Sequence, residues 1–340
     1  MNQREREQKA RERRERIRRE KHQRRSIARH DEGSDSSPTL DTPMMPHRYA
    51  AERAMFDMQS VMKDRQFSSV EEMNAAMHEL HASGGMERAA RKVRARDPKA
   101  RAQDLAYRAM EATDMDDAVG FITQALDVDS NCTDALRLLA QMAAKSPSEK
   151  IMMLADAIAG AEREFGQDFL EQKRGEFWQD LRTRPYMRAR HELAMTFQDT
   201  GRHAEAIEQF EEMLLLNPND NQGVRDQLLG LYLARKYLDR ARALLEKYDE
   251  PTAINVWGRV LLDILGGDLA AASDRLAAAR QRNPHAEKYL SGRTPVPKSL
   301  GGTYRLGQED EAQHCAFEQA FAWKRHPVAM EWLKRQPNLV

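Results

Sequence analysis

Cysteine is nearly missing from this chain: Cys132 and Cys315 are the only two in 340 residues. Two thiols so far apart make neither a disulfide framework nor a common zinc site, and they read as small apolar residues in a reducing compartment. Aromatics are only 6%, with 17 Gly and 13 Pro. That is too little turn-forming residue for many short strands, and the Ala, Leu, Arg and Glu that dominate favour helices. Net charge is also missing, since 54 basic residues balance 54 acidic ones. The total therefore gives no argument for a polyanionic partner. No apolar run approaches the roughly 18 residues that span a bilayer. The basic N-terminus is not followed by the apolar core of a secretory signal, so no membrane association and a cytoplasmic location are expected. The phosphate-binding and nucleophile motifs G-x-x-x-x-G-K-[ST], G-x-G-x-x-G and G-x-S-x-G do not occur. His78-Glu79-Leu80-His81 spaces its histidines by three and has no third ligand in view. Adjacent acids such as Asp116–Asp117 and Glu211–Glu212 splay apart on a helix. No catalytic, metal or cofactor residue is assigned, and the chain is read as a non-enzyme.

What is present divides the chain. Residues 1–30 hold thirteen Lys or Arg and five Glu with almost no apolar side chains. Such a segment cannot bury a core and is expected to be disordered or a single charged helix. Residues 31–47 read as a linker, because Pro38, Pro43 and Pro46 forbid a continuous helix. Residues 48–98 carry helical patterning, with Met55, Met58 and Met62 in one apolar stripe. Helical hairpins then follow over 99–286, with a loop at 287–306 and C-terminal capping helices at 307–340.

The hairpins repeat. Asn217-Pro218 recurs as Asn283-Pro284, 66 residues later, and Gly201, Ala206 and Phe210 recur at the same separation as Gly267, Ala272 and Leu276. Tyr232, Ala241 and Leu245 supply a copy in between. Two units of about 33 residues lie close to the 34-residue tetratricopeptide period. One hairpin cannot bury its apolar face alone, so copies must stack. Upstream copies read Leu105, Ala106, Ala118, Ile122 and then Ala135, Leu139, Leu154, Ile158, while residues 167–185 interrupt the array.

The pattern resembles the tetratricopeptide repeat family, best over 187–220. The phrases TRPYMRARHELA (183–194), GRHAEAIEQFEEMLLLNPNDNQGVR (201–225) and NPHAEKYLSGR (283–293) are similar to bacterial relatives of the suppressor-of-tumorigenicity-7 family. The resemblance implies an all-α, tetratricopeptide-type helical-hairpin solenoid that acts as a protein-interaction scaffold.

By that analogy the first helix of each hairpin lines a concave groove that holds a peptide or helix of a partner. The outward positions are Arg188, His191 and Met195, then Arg225, Asp226 and Gly230, then Ile254, Trp257, Leu261 and Ile264. Arg188, His191, Arg225 and Trp257 are taken as the candidate partner-binding residues, with Arg188 solvated enough that its removal leaves the fold intact. The alternative for Trp257 is packing inside the array. For the arginines it is solvation or a structural ion pair. A second functional reading is an RNA- or ribosome-associated protein acting through phosphate contacts of the Arg-rich residues 1–30.

Overall fold

The computed structural model describes residues 46–63, 65 and 67–337. The charged run at 1–30, and with it the nucleic-acid reading, lies outside them. Among the described residues there are seventeen α-helices and no strand. No helix of the described residues is long and apolar enough to cross a membrane. The chain divides into two compact units, one ending at Thr200 and one starting at Gly201.

The first unit opens with α1 (Pro46–Met62), α2 (Val70–Ala82) and α3 (Gly85–Arg96). There follow α4 (Pro98–Glu111), α5 (Met115–Val128), α6 (Thr133–Ala143), α7 (Pro147–Phe165), the short α8 (Gln167–Gln172) and α9 (Arg184–Asp199). Helix α4 packs along α5, α6 along α7, and α9 against both α6 and α7, while α1 lies on α3 and α4. The starts of these helices are written locally. Asp97 accepts from the backbone N–H of Lys99 and Ala100 ahead of Pro98, and Asp114 accepts from those of Asp116 and Asp117. Ser146 does the same for Glu149 beside Pro147. Each such cap is worth about 1 kcal/mol. Between α4, α5 and α6 the core is built from Ala102, Ala106, Ala125 and Ala135, all fully buried, with Met110, Ile122 and Leu139 filling the space around them. Small residues let the backbones approach, and the larger side chains supply roughly 1.5–3 kcal/mol each on burial.

The second unit contains α10 (His203–Leu216), α11 (Val224–Arg235), α12 (Leu238–Lys247), α13 (Ala253–Gly266), α14 (Leu269–Arg282), α15 (Ala286–Leu290), α16 (Glu309–Arg325) and α17 (Pro327–Arg335). From α10 to α14 each helix packs on the next, and α11 also touches α13. The residues 66 apart hold equivalent places. Helices α10 and α14 are both 14 residues long and end at Asn217 and Asn283. Ala206 and Ala272 are both fully enclosed, as are Phe210 and, nearly so, Leu276. Asp220, at φ +50°, receives the N–H of Val224 and Arg225 and so closes the start of α11. Gly223 beside it has φ +74°, and a Cβ there would meet nothing. Its role is the left-handed conformation, not close packing.

Helix α16 breaks the sequential order. It returns to lie across α11 and α13, and also packs on α15. Two glycines admit it. A Cβ on Gly230 would sit 2.5 Å from the Glu318 carbonyl oxygen and 3.0 Å from Phe321 Cε1, and one on Gly258 would sit 3.1 Å from Gln319 Nε2. Gln319 in turn donates to the Ile254 carbonyl at 2.9 Å. The helices meet nearly backbone to backbone there, a spacing that no side chain at position 230 allows.

Candidate partner-binding site

Arg188 is not a solvated groove residue. Its guanidinium makes a bidentate pair with Asp134 of α6, at 2.9 and 2.6 Å, and a third bond of 2.6 Å to Glu52 of α1. Gln103 also donates to Asp134, and the Tyr107 phenol and Arg184 both donate to Glu52. Four helices, α1, α4, α6 and α9, are thereby joined through one buried polar network. Asp134 has no exposed surface. Burial alone would raise its carboxyl, but Arg188, Arg137 and Gln103 outweigh that and hold it at about 2. The Tyr107 phenol is pushed well up by its burial. His191, one turn further along α9, is half-buried.

The other two candidates lie in the second unit, and its geometry keeps them apart. Arg225 pairs with Glu250 at 2.8 Å and stands 5.2 Å over the Tyr248 ring, tying the start of α11 to the end of the α12 hairpin. Trp257 is 0% exposed and meets Trp323 of α16 edge-on at 6.4 Å. It is a core residue, which corrects the groove reading. Of the positions expected to point outward from α11 and α13, Asp226, Gly230, Ile254 and Trp257 meet α16. The occupant of that face is the chain's own helix.

The α11–α16 contact also buries ionisable groups. His314 stands 3.8 Å from Asp226 with the Tyr304 ring stacked on it at 4.9 Å, and Gln227 reaches Glu318. Burial pushes the Glu318 carboxyl up to about 7, with His314 pulling the other way. His314 is raised as well, because Asp226 and nearby carboxylates outweigh its burial. For both groups the folded value exceeds the unfolded one. Their contribution is therefore full below the unfolded value and lost as pH rises through the folded value. The second unit should lose stability from about pH 4.5 to about pH 8, by on the order of 3 kcal/mol for Glu318. Glu318→Gln should abolish most of that loss. Melting temperatures of both proteins at the two pH values check it, and parallel pH dependence would count against it.

A concave feature of the first unit lies elsewhere. A cleft of about 780 Å³ lies between α1, α3, the start of α4, the ends of α7 and α8, and the loop before α9. That volume is in the range of ligand sites. Part of its wall is apolar, with Phe56, Val93, Phe165, Phe169 and Pro185. Phe165 and Phe169 stack at 5.1 Å and are half-buried, backed by Phe177 and Tyr186. Its rim carries Lys63, Lys92, Arg96, Lys99 and Arg182 against Asp97, Asp129 and Glu164. Lys99 is paired with Glu164 at 2.6 Å and Arg182 with Asp180 at 2.5 Å. Asp97 is occupied in capping α4, and burial raises the Asp129 carboxyl. Lys63, Lys92 and Arg96 are exposed and have no acidic partner among the described residues.

Sequence reasoning missed this cleft. The interruption at 167–185 supplies Phe169, Arg182 and Pro185 to it, and helix α3 supplies Lys92 and Arg96 on adjacent turns. The single available signal was the failure of the repeat pattern there. No protein-family model matches the chain, and no curated protein matches it.

Proposed function

We propose that the chain is a tetratricopeptide-type scaffold of stacked helical hairpins, without catalysis, that holds a segment of another protein in the cleft of its first unit. The observation that carries this reading is the character of that cleft. It is open, partly aromatic and rimmed by unpaired cations, whereas the face of α11 and α13 in the second unit is covered by α16 and the facing side of α4, α6 and α9 is engaged by Glu52 of α1. Helix after helix packing in chain order, with equivalent residues 66 apart, supports the hairpin array. Half-buried aromatic side chains beside an exposed arginine are the usual makings of an interface anchor.

A photo-crosslinking amino acid in place of Gln59, which lines the cleft, tests the reading in the full chain. A saturable protein adduct is expected from this position and not from the exposed Leu215 of the second unit. No adduct, or the same adducts from both positions, would overturn it.

A further inference from the structure

We infer that the cleft selects an acidic segment bearing one aromatic or large aliphatic anchor; this rests on the scaffold reading and names the chemistry of the partner. Two features of the cleft point the same way. Cations predominate among the free charges: Lys63, Lys92 and Arg96 have no carboxylate of their own among the described residues, while Asp97 and Glu164 are already engaged and Asp129 is half-buried and accepts from the Asn131 N–H. Lys92 and Arg96 are four apart on α3, so their side chains stand one above the other on one helix face. That face offers two cations at the spacing of neighbouring carboxylates on an extended or helical segment.

Beneath this rim lies a socket rather than a flat surface. Phe56, Val93, Phe165 and Phe169 enclose it, and Phe165 and Phe169 are held by edge contacts to Phe177, at 6.5 and 6.4 Å. A rigid aromatic wall takes a side chain without losing its own freedom on binding, so the anchor's burial is not offset by ordering the site. Charge at the rim sets which segments are steered in, and the socket supplies the burial.

A nucleic-acid strand fits less well. Five cations and three acids line the cleft, so a polyphosphate brought across it meets Asp97, Asp129 and Glu164 as well as the lysines. A segment with two or three carboxylates can place them on Lys92, Arg96 and Lys63 alone. Asp129 Oδ1 already accepts from the Asn131 N–H at 2.9 Å, which leaves its second oxygen as an acceptor for a backbone N–H of the segment.

The test uses the full chain and fluorescein-labelled hexapeptides read by anisotropy. One has acidic residues around a central phenylalanine, a second replaces the acids by lysine, and a third replaces the phenylalanine by alanine. The first should bind, with affinity falling steeply as salt is raised. Lys92→Glu combined with Arg96→Glu should weaken it by about tenfold or more, which is the effect of about 1.4 kcal/mol. The alanine peptide should be weaker, and the lysine peptide should not bind. Lys334→Glu, on α17 of the second unit, should leave binding unchanged. Equal binding of the lysine peptide, full affinity in the double variant, or displacement of all binding by a uridine oligonucleotide or by decanoate would each overturn the proposal. The two readings fail separately. A protein adduct from position 59 whose crosslinked segment is neutral or basic removes the acidic preference and leaves the scaffold, whereas no adduct removes the scaffold.

Discussion

Arg188→Ala is expected to lower the stability of the first unit by about 3–5 kcal/mol, the usual result of removing one partner from a buried ion pair. The reason is what stays behind. Asp134 is fully enclosed and Glu52 is 5% exposed, and neither carboxylate can reach water when the guanidinium is gone. The lower part of the range is favoured because Arg137 and Gln103 still bond Asp134, and Arg184 and Tyr107 still bond Glu52. Arg188→Lys should recover only part of the loss, since an ammonium cannot make the bidentate pair and the bond to Glu52 together. Asp134 adds a pH signature. Its carboxyl is depressed from 3.8 to about 2. The stability it contributes is present above about pH 4 and is lost as pH falls through 2. Without Arg188 the folded carboxyl rises, so that acid-side loss should shrink, and the cost of the substitution should be smaller at pH 4 than at pH 7. Urea unfolding of both variants at pH 7 and pH 4 measures this. A variant as stable as the parent at both pH values would show the network to be energetically idle.

Trp257→Ala should cost about 3–5 kcal/mol, here in the second unit. The indole lies between α13 and α16 with no exposed surface, and its removal leaves a cavity against Trp323. Trp257→Phe separates packing from polarity. The indole N–H has no hydrogen-bond partner among the described residues, so phenylalanine forfeits volume but no bond and should cost clearly less than alanine. Thermal unfolding of the two variants beside the parent decides it. An unchanged melting temperature in Trp257→Ala would remove the residue from the core, whereas equal costs for both variants would mean that the N–H matters after all.

How much of this was legible depends on the range of each interaction. The helix starts at Asp97, Asp114 and Ser146 are local, made within four residues, and the side-chain types announce them. The 66-residue separation was legible because Asn217 and Asn283, or Ala206 and Ala272, perform the same task twice. The seat of α16 was not. Its buried positions include Glu311, Glu318 and Gln319, which are 1%, 5% and 0% exposed. Polar residues of this kind read as a solvated face until their distant partners are known. Gly230 was placed on an outward face, yet nothing local distinguishes a glycine that faces solvent from one that receives a helix backbone. The cleft was hidden for a related reason. Lys92 and Arg96 are ordinary surface cations by sequence, and Phe169 and Pro185 fall in a stretch with no period. Only the fold puts them at one opening.

The returning helix also bears on how the protein is made. Glu318 and its partner Gln227 are 91 residues apart, and His326 reaches Leu233 across 93. At translation rates of about 5–20 residues per second, the apolar face of α11 and α13 waits roughly 5–20 s for its cover to be synthesised. Over that interval the nascent second unit carries Trp257 and the backbone at Gly230 unshielded by α16. Any truncation before residue 309 makes that interval permanent.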